Sequence, residues 1–457
     1  MSEPARLDER DISWKILLPF GPDGRICAIG LGEGKLAGLR RSFRKVDTDP
    51  VDDLEYDSVI VGDKGNDNPH DLNSLISRIK PSGIFVNAGR KCSAVQLKNA
   101  GLRYSRQYAA LPPEKPRLFI PLASRKLRSR GLAFHSPGSF KAYAGLAAAK
   151  GLNLVGIKGH LEKHIIGIHA KDRNVLTKQG LTQWLAKKLG YSIIDLVVYA
   201  GSESPRRKIT ALAVADESKK DIVVKIADTE PGIQAIKQES EALRAIADSP
   251  LSGRGPKLIA EGRWNNYYVQ LQEKIISVNN KQTASVTSAH LDFLSQLSTI
   301  GRRVLPLKQT NARQNIENWV GETSSHALPQ AVSSSVEKIL SDEFADKPVI
   351  CHRTHGDFAP WNIKINNGKL FVFDWEDSLP DGLALTDIFH FLYRQASLVG
   401  PWPGTESLLR DMSNVSKRFL DIADHENIEI DVMLKIWLLS EYSIKPSGFL
   451  CDMLGAV

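Results

Sequence analysis

The sequence contains little cysteine, and the thiols that it has lie far apart. Its 457 residues include four cysteines, none of them in a CxxC pair. This spacing predicts neither a disulfide framework nor a thiolate zinc site, so we expect a protein of the reducing cytoplasm. Long hydrophobic runs are also missing, since no uncharged apolar stretch approaches the roughly 18 residues of a membrane helix. The first residues are polar and acidic, without the apolar segment of a secretory signal.

Positive charge is concentrated in one part of the chain. The net charge is +8, but residues 101–180 alone hold 15 Lys and Arg against 3 Asp and Glu. The rest of the chain is therefore net negative, and an anionic partner would dock on this segment. Its cluster Arg125–Arg130 has no interleaved aromatic residues, so we expect no nucleic-acid partner. A solvated connector is the default interpretation, with docking to an anionic or membrane surface, and hence a membrane-peripheral location, as the alternative.

The N-terminal part alternates short apolar runs with helical stretches, which is typical of a parallel α/β sheet. The first predicted strand runs into a G-x-G-x-G turn and then a helix. Glycines in such a turn let a nucleoside or phosphate approach the backbone at a helix N-terminus. The predicted strands are Arg25–Ile29, Ser58–Val61 and, after a turn at residues 80–83, Ile84–Asn87, and the glycines are Gly30, Gly32 and Gly34.

Residues 14–110 resemble, through these weak motifs, class I S-adenosylmethionine-dependent methyltransferases. The resemblance implies a Rossmann-like fold, with the three glycines beside the cofactor and Asp47 or Asp49 on its ribose. Only six residues separate Asp49 from Tyr56, too few for the usual intervening helix and strand. The shortened sheet favours a remnant or a scaffold over an active methyltransferase, and S-adenosylmethionine is kept as an alternative ligand that this truncation disfavours.

The richest chemistry lies between residues 355 and 376, which read HGDFAPWNIKINNGKLFVFDWE. Two apolar strands flank the Asn-Asn-Gly turn, which predicts a β-hairpin. Folding about Gly368 brings Asn362 and Asp374 to the open end, where an amide oxygen and a carboxylate can share Mg²⁺. Asp357, on the loop just before, is close enough to accept a proton from an attacking hydroxyl. This is the layout of kinase-type phosphoryl transfer.

The run HGDFAPWN followed by FDWE resembles the signature of the aminoglycoside phosphotransferase and choline kinase family, which are small-molecule kinases with a protein-kinase-like fold. The H-G-D-x-x-x-x-N pattern of that family is matched in full. The resemblance implies that Asp357 is the catalytic base and that Asn362 and Asp374 are the metal ligands. It also implies that His355 braces the catalytic loop and that Asp387 steadies it.

The same resemblance assigns residues to the nucleotide. A strand lysine would hold the phosphates, a helix glutamate would orient it, and two glutamines fall where a hinge would meet adenine. Glu241 is the alternative for the glutamate. The loop expected to cover the phosphates, near Gly201, holds a single glycine, which leaves open whether it supports tight ATP binding. The residues assigned to the nucleotide are Lys225, Glu239, Gln270 and Gln272.

The predicted fold class is an α/β, Rossmann-like N-terminal unit followed by an α+β, two-lobed, protein-kinase-like domain. We place a truncated methyltransferase-like domain at residues 14–110 and a basic connector with a helix at 111–174. The kinase-like domain would occupy residues 175–457, with its N-lobe at about 175–273 and its C-lobe at about 274–457. Both boundaries follow changes in pattern along the sequence.

The leading hypothesis is an ATP- and Mg²⁺-dependent phosphotransferase acting on a hydroxyl of a small polar molecule. Aminoglycosides, amino sugars, sugars and choline-like alcohols are all candidate acceptors, and Glu376, Asp377 and Asp381 hint at a cationic one. Two alternatives stay open. One is a kinase-like binding module without catalysis, and the other is a methyltransferase with an accessory kinase-like domain.

Overall fold

The structure is a computed structural model that describes residues 10–62, 71–88, 92–134, 140–157, 159–177, 180–201, 204–216, 220–275, 285–323, 328–366, 368–425 and 428–457. Within it the chain forms two compact units. The first unit comprises Met1–Ile236 and Ile259–Lys274, and the second comprises Lys237–Leu258 and Ile275–Val457.

A large sheet dominates the first unit. Its strands are β1 (Arg25–Ile29), β2 (Lys45–Asp47), β3 (Tyr56–Gly62), β4 (Ile79–Ala88), β5 (Tyr104–Leu111), β6 (Leu118–Pro121), β7 (Ile165–Ala170), β8 (Ile193–Tyr199), β9 (Ile209–Ala215), β10 (Ile222–Ala227), β11 (Leu258–Trp264) and β12 (Tyr267–Glu273). Its helices are α1 (Glu33–Ser42), α2 (Leu72–Ser77), α3 (Ala94–Asn99), α4 (Arg125–Phe134), α5 (Phe140–Leu154), α6 (Arg173–Thr177), α7 (Gly180–Leu189) and the start of α8 (Glu230–Ala247), with 3₁₀ turns at Arg10–Leu17 and Gly159–Leu161.

The sheet runs through twelve strands in the order β11-β12-β10-β9-β8-β6-β5-β7-β4-β3-β1-β2. The strands β2, β1, β3 and β4 pair in parallel, as predicted for the N-terminal part. The predicted turn at residues 80–83 lies inside β4 instead. A side chain at Gly83 would meet the backbone oxygens of Tyr56 and Asp57 at 2.9 Å, so this glycine serves close strand approach and not a turn.

The N-terminal strands do not form a separate sheet, because they belong to the same sheet as β8–β12. The predicted Rossmann-like fold of the N-terminal unit is not confirmed. β7 pairs antiparallel with β4, and β6 pairs with β8, so every strand edge between the predicted domains is hydrogen-bonded. Residues 111–174, predicted to be a connector, supply two strands of this sheet. The physical reason is that an unpaired edge of β4 would expose backbone N–H and C=O groups, which β7 satisfies.

The truncation predicted between β2 and β3 is present. Residues 48–55 form no helix or strand, and β3 pairs directly with β1. Because side chains alternate along strands, the sheet has two apolar faces. One face, with Ile29, Val59 and Phe85, packs under α2 and α3. The opposite face, with Ile60 and Val86, joins the main core of the unit.

The second unit is mostly helical. It contains the strands β13 (Arg303–Pro306), β14 (Pro348–Thr354), β15 (Ile363–Asn366), β16 (Lys369–Val372) and β17 (Leu379–Leu383). Its helices, after the rest of α8, are α9 (Ser288–Leu297), α10 (Asn311–Glu322), α11 (Gln330–Leu340), α12 (Asp342–Ala345), α13 (Thr386–Arg394), α14 (Thr405–Ala423), α15 (Ile430–Ile444) and α16 (Gly448–Ala456), with 3₁₀ turns at Leu307–Gln309 and Pro360–Asn362 and a π-helical turn at Gln395–Val399.

These elements enclose one core and leave the site on two short sheets. β14 lies between β13 and β17, and β15 pairs with β16 in the predicted hairpin. The buried aromatic residues of α9 and α13 pack around the loop that follows β14. No helix in the described ranges is long and apolar enough to cross a membrane.

The basic cluster Arg125–Arg130 belongs to the packed structure and is not a solvated connector. It opens α4, and Arg128 is buried, donating to Oδ1 of Asn153 at 2.9 Å and to the Leu122 carbonyl at 3.0 Å. Arg130 forms an ion pair with Asp221. Because these guanidinium groups are bound inside the first unit, membrane docking through them has no support.

Replacing Arg128 should therefore destabilise the protein. Arg128→Met keeps much of the side-chain volume but leaves buried acceptors without a donor, so the free energy of unfolding should fall by about 1–3 kcal/mol. Chemical denaturation of the two proteins measures the difference. Lys115→Met, at an exposed position of the same basic segment, is the matched control and should change stability by less than about 0.5 kcal/mol. Equal stability of Arg128→Met and the control would contradict the structural role.

Candidate active site

The loop after β14 is anchored by two aromatic residues of its own motif. Phe358 is fully buried and stacks on Phe293 of α9, with ring centroids 5.9 Å apart. Trp375, after the hairpin, is also fully buried and lies against the ring of His355 at 4.4 Å. These contacts fix both ends of the segment through apolar burial, so its polar residues keep a defined position.

A buried carboxylate holds the backbone of this loop. Asp387, in the first turn of α13, accepts the backbone N–H of His355 at 2.7 Å and that of Gly356 at 3.0 Å. Gly356 has a φ of +84°, and a side chain there would meet the Asp377 carbonyl oxygen at 2.1 Å. Only glycine fits this turn. In this conformation the N–H of Gly356 points at Asp387.

His355 lies inside the loop as a neutral ring. Burial lowers its pKa, and this effect outweighs the nearby carboxylates. Its Nδ1 accepts the backbone N–H of Asp357 at 3.2 Å, and its Nε2 lies 3.2 Å from the Phe373 carbonyl oxygen, which the Nε2–H tautomer satisfies. The ring thus ties the loop to the end of the hairpin.

The carboxylate of Asp357 is held from two sides. The side-chain amide of Asn362 donates to one oxygen at 2.8 Å, and Nε2 of His390 lies 2.9 Å from the other. The structure therefore brings Asp357 and Asn362 together. Because the side-chain nitrogen of Asn362 is engaged with Asp357, the side-chain oxygen Oδ1 is the atom left to face a cation.

His390 is the residue that sequence reasoning missed. It lies on α13, and its Nδ1 is 3.3 Å from Glu441 of α15. Burial lowers the pKa of His390, but hydrogen bonds to Asp357 and Glu441 outweigh burial and raise it to about 9. The ring is therefore cationic at neutral pH. His390 follows Asp387 by three residues, so the two side chains lie on the same face of α13. This spacing is the sequence signal that could have identified His390.

This cation also sets the basicity of Asp357. Burial by itself raises the pKa of Asp357, but the hydrogen bond and charge of His390, together with His355 and Asn362, lower it overall. The group is a weak base that stays ionised at neutral pH. A carboxylate of this kind can orient a hydroxyl and accept its proton late in a phosphoryl transfer, when the hydroxyl has become acidic.

The predicted hairpin places Asp374 near Asn362. Ile363 pairs with Val372, and the backbone N–H of Phe373 donates to the backbone oxygen of Asn362 at 3.1 Å. Phe373 therefore lies opposite Asn362, and Asp374 is one residue further on. Asp374 has a φ of +69°, a conformation rare outside glycine and frequent at functional sites. Asn367 of the turn lies outside the described residues.

These two oxygen donors fit a hard cation that takes few protein ligands. Mg²⁺ commonly uses one or two carboxylates and completes its shell with phosphate and water. Among the described residues there is no group of three or more His, Cys, Asp and Glu that would make a protein-only metal cage. The donor set therefore suits a metal that arrives with a phosphorylated ligand, and Asn362 and Asp374 as its ligands stay a prediction.

The residues predicted to hold the nucleotide are divided between the two units. Lys225 is a nearly buried residue of β10, and Glu239 is fully buried on α8. The alternative glutamate, Glu241, is paired with Arg353 at 3.3 Å. Gly201 has a φ of +71° beside the β8–β9 loop, and residues 202–203 of that loop lie outside the described part.

The two hinge glutamines have internal partners. Gln272 donates to the side-chain oxygen of Gln270 at 2.7 Å, and Gln270 donates to the Ile236 carbonyl of α8 at 3.2 Å. Both side chains are buried within the first unit. They hold a helix against β12, and their role towards adenine stays a prediction.

The N-terminal glycine turn has the predicted strand–turn–helix form. Gly30 has a φ of +64°, and Gly32 precedes α1 with open space where a side chain would stand, while Gly34 lies in the helix. Asp47, an expected ribose ligand, is paired with Arg25 at 2.9 Å. Asp381, one of the acids that hinted at a cationic acceptor, is likewise bound to Arg303 at 3.0 Å.

Comparison with known proteins finds solved structures that align with part of this chain at low identity. No protein-family model and no curated protein matches the sequence. The matching solved structures include a thermostable mutant of an aminoglycoside phosphotransferase in a ternary complex with AMP-PNP and hygromycin B (TM-score 0.41, 14% identity, 60% of this chain and 97% of that chain). Others are an amicoumacin kinase in complex with AMP-PNP, Ca²⁺ and Ami (0.38, 14%, 60% and 91%) and an ethanolamine kinase from Plasmodium vivax (0.37, 11%, 63% and 89%).

Each of these three structures is of a kinase or phosphotransferase, and each covers about 60% of this chain. They do not show the methyltransferase resemblance of the N-terminal part. At this degree of similarity the function of the chain has to be argued from the geometry of its own residues.

The raised pKa of His390 makes stability depend on pH in a defined direction. The folded pKa of about 9 exceeds the ordinary 6.5, so the stabilisation is fully present below pH 6.5 and is lost as pH rises through 9. Between these values the free energy of unfolding of the wild type should fall by about 3 kcal/mol relative to His390→Gln. Urea denaturation from pH 6 to 9.5 measures this difference. Parallel pH profiles of the two proteins would contradict a cationic His390.

Proposed function

We propose that the chain is a phosphotransferase that moves the γ-phosphate of ATP to a hydroxyl of a small polar molecule. The observation that supports this most is the environment of Asp357. Its carboxylate is held by Asn362 at 2.8 Å and by the cationic ring of His390 at 2.9 Å. A base that must meet a hydroxyl needs a partly exposed carboxylate in one fixed orientation, and these two contacts provide it.

In this proposal Asp357 hydrogen-bonds the acceptor hydroxyl and takes its proton as the bond to phosphorus forms. His390 keeps Asp357 ionised and fixes its orientation, and Glu441 holds His390 in turn. Asp387 fixes the loop through its two backbone hydrogen bonds. Catalysis would rest on positioning and charge stabilisation, as is usual for phosphoryl transfer.

Asn362 and Asp374 would hold a divalent cation, for which we propose Mg²⁺. When bound, it would neutralise the negative charge that develops on the transferred phosphoryl group. The amide of Asn362 couples this ligand to Asp357, so that base and metal ligand are positioned together. Lys225 and Glu239 remain the proposed residues for the ATP phosphates, with Gln270 and Gln272 the proposed neighbours of adenine.

The proposed acceptor is an aminoglycoside, amino sugar, sugar or choline-like alcohol. Because Asp381 is neutralised by Arg303, acidic side chains give less support to a cationic acceptor than the sequence suggests. A panel that includes neutral sugars as well as amino compounds is therefore needed. ADP release from ATP in the presence of each compound tests the proposal, and absence of turnover with every compound, together with absence of Mg·ATP binding, would favour the non-catalytic binding module.

Removing the proposed base should separate chemistry from binding. Asp357→Asn keeps the size and hydrogen-bonding shape of the side chain but cannot accept the hydroxyl proton. We expect ADP release to fall by about 10²- to 10⁴-fold while the affinity for Mg·ATP changes little. Asp411→Asn, at an exposed position on α14, is the matched control and should retain wild-type turnover. Wild-type turnover by Asp357→Asn would refute its assignment as the base.

Removing the second proposed metal ligand should change the demand for metal. Asp374→Asn preserves a side chain that tolerates positive φ and removes the charge, so the Mg²⁺ concentration for half-maximal activity should rise about tenfold or more. Asp424, which has a φ of +50°, is exposed at the end of α14. Asp424→Asn makes the same chemical change, also at a positive φ, and should leave the Mg²⁺ requirement unaltered. An unchanged requirement in Asp374→Asn would exclude it as a ligand.

A further inference from the structure

The first unit contains a cavity of about 460 Å³ that the proposed phosphotransfer chemistry does not use. It lies on the same face of the large sheet as α2 and α3. There the strands β7 and β5 extend beyond the part of the sheet that α3 covers. The helix α3 forms one wall, and residues 162–164 before β7 form another. Its volume is within the range of small-molecule sites, roughly 300–1,000 Å³.

The floor of this cavity is an ordered set of polar side chains on neighbouring strands. Because β4, β7 and β5 pair side by side, residues opposite one another line up across the sheet. A glycine in the middle strand leaves room at the centre of the floor for the ring of His169. The lining residues of the floor come from two rows of paired residues: Asn87, Gly167 and Gln107 in one, and His169 and Ser105 in the next.

One of these side chains has a buried oxygen without a protein partner. The side-chain oxygen of Asn87 is fully buried and accepts no hydrogen bond in the described part of the chain. His169, on the neighbouring row, is only 5% exposed, and its ring contacts Phe85. A buried polar group without a partner costs about 1–3 kcal/mol, so a ligand that donates a hydrogen bond to the Asn87 oxygen would recover that energy.

The imidazole of His169 covers the glycine between them. A side chain at Gly167 would lie 2.6 Å from Nε2 of His169, so the ring occupies the space that the glycine leaves and becomes part of the floor. Burial lowers the pKa of His169 to about 4, which keeps the ring neutral at physiological pH. A neutral imidazole offers one donor and one acceptor, and Asn87 offers an acceptor.

The rim of the cavity carries mainly positive charge. Lys98, Arg103 and Lys163 line it together with a single carboxylate, Glu162. Two of the three cations belong to the basic segment 101–180. The three cationic side chains are exposed, so they can move to meet an anionic group at the mouth while the ligand occupies the floor.

We propose that this cavity binds a nucleoside phosphate, with its base on the floor beside Asn87 and His169 and its phosphate at the cationic rim. A planar heterocycle fits a floor that includes the flat ring of His169 and is bounded by Leu97 and Ile165. Amide side chains such as Asn87 and Gln107 read the donor and acceptor edge of a base. A free phosphate would use the rim but leave the buried oxygen of Asn87 without a partner.

Calorimetric titration of the full-length protein with AMP, GMP, CMP and UMP tests this proposal. EDTA is present, to suppress metal-dependent binding elsewhere, and inorganic phosphate and ribose 5-phosphate are titrated in parallel. We expect at least one nucleotide to bind with one-to-one stoichiometry and at least about tenfold more tightly than ribose 5-phosphate. Equal affinity for inorganic phosphate or ribose 5-phosphate, or no binding of any nucleotide at millimolar concentration, would overturn the proposal.

Variants locate the binding site. Asn87→Leu, which removes the buried acceptor, and the double variant Arg103→Glu/Lys163→Glu, which reverses the rim charge, should each weaken binding at least about tenfold. Lys115→Glu/Arg117→Glu makes the same charge change at exposed positions of the basic segment outside the cavity and should stay within about twofold. Equal weakening by both double variants would mean attraction by overall charge only, which contradicts the proposal.

A measurement on the unaltered protein guards against variants that fail to fold. Hydrogen exchange of the wild type with and without the bound nucleotide should show slower exchange in β5 and β7 and in α3. Protection confined to other elements would place the nucleotide elsewhere and exclude this cavity.

Discussion

The site of the second unit depends on the carboxylate of Asp387 and its two hydrogen bonds to the backbone of the loop after β14. A loop that carries the proposed base cannot lie in the core, yet it must hold one conformation. Asp387 achieves this from the first turn of α13 by accepting the N–H groups of His355 and Gly356. Without these bonds the buried ring of Phe358 would still anchor the loop, but the direction of Asp357 would be undetermined. The same helix then supplies His390, which fixes the Asp357 carboxylate itself.

Charge in this site is arranged as an alternating chain of Asp357, His390 and Glu441. Each of these three groups lies beside a group of opposite charge. The attraction between the charges offsets the cost of burying each of them. The result is a carboxylate that remains ionised and a histidine that remains cationic, with its pKa raised to about 9. His169 in the first unit shows the contrary case. It is buried to a similar degree, but no carboxylate in the described ranges is bonded to it, and burial lowers its pKa to about 4.

Much of the local structure could be predicted because it follows from short-range patterns. Contiguous apolar runs and turn residues predict the hairpin of β15 and β16 and the strand before Gly30. They also predict the parallel pairing of β1, β3 and β4. The connector could not be predicted in this way, because β6 and β7 become strands through partners distant in the sequence. The same limit explains the basic cluster. The sequence predicts that Arg128 is a solvated cation, whereas in the folded chain it is buried and donates to Asn153 and to the Leu122 carbonyl.

The sequence by itself determined that Asp357, Asn362 and Asp374 come close together, because they stand at spacings that a loop and a hairpin convert into proximity. Their catalytic and metal-binding roles stay a prediction. It also determined that the N-terminal sheet is shortened, since eight residues between β2 and β3 cannot form another helix and strand. Only the tertiary structure decided how these groups behave. The pKa of a carboxylate or an imidazole is set by burial and by neighbours on other elements, such as Glu441 on α15. Only pairing of β4, β7 and β5 places Asn87, Gly167 and His169 on one cavity floor, because long-range strand pairing leaves no local trace in the sequence.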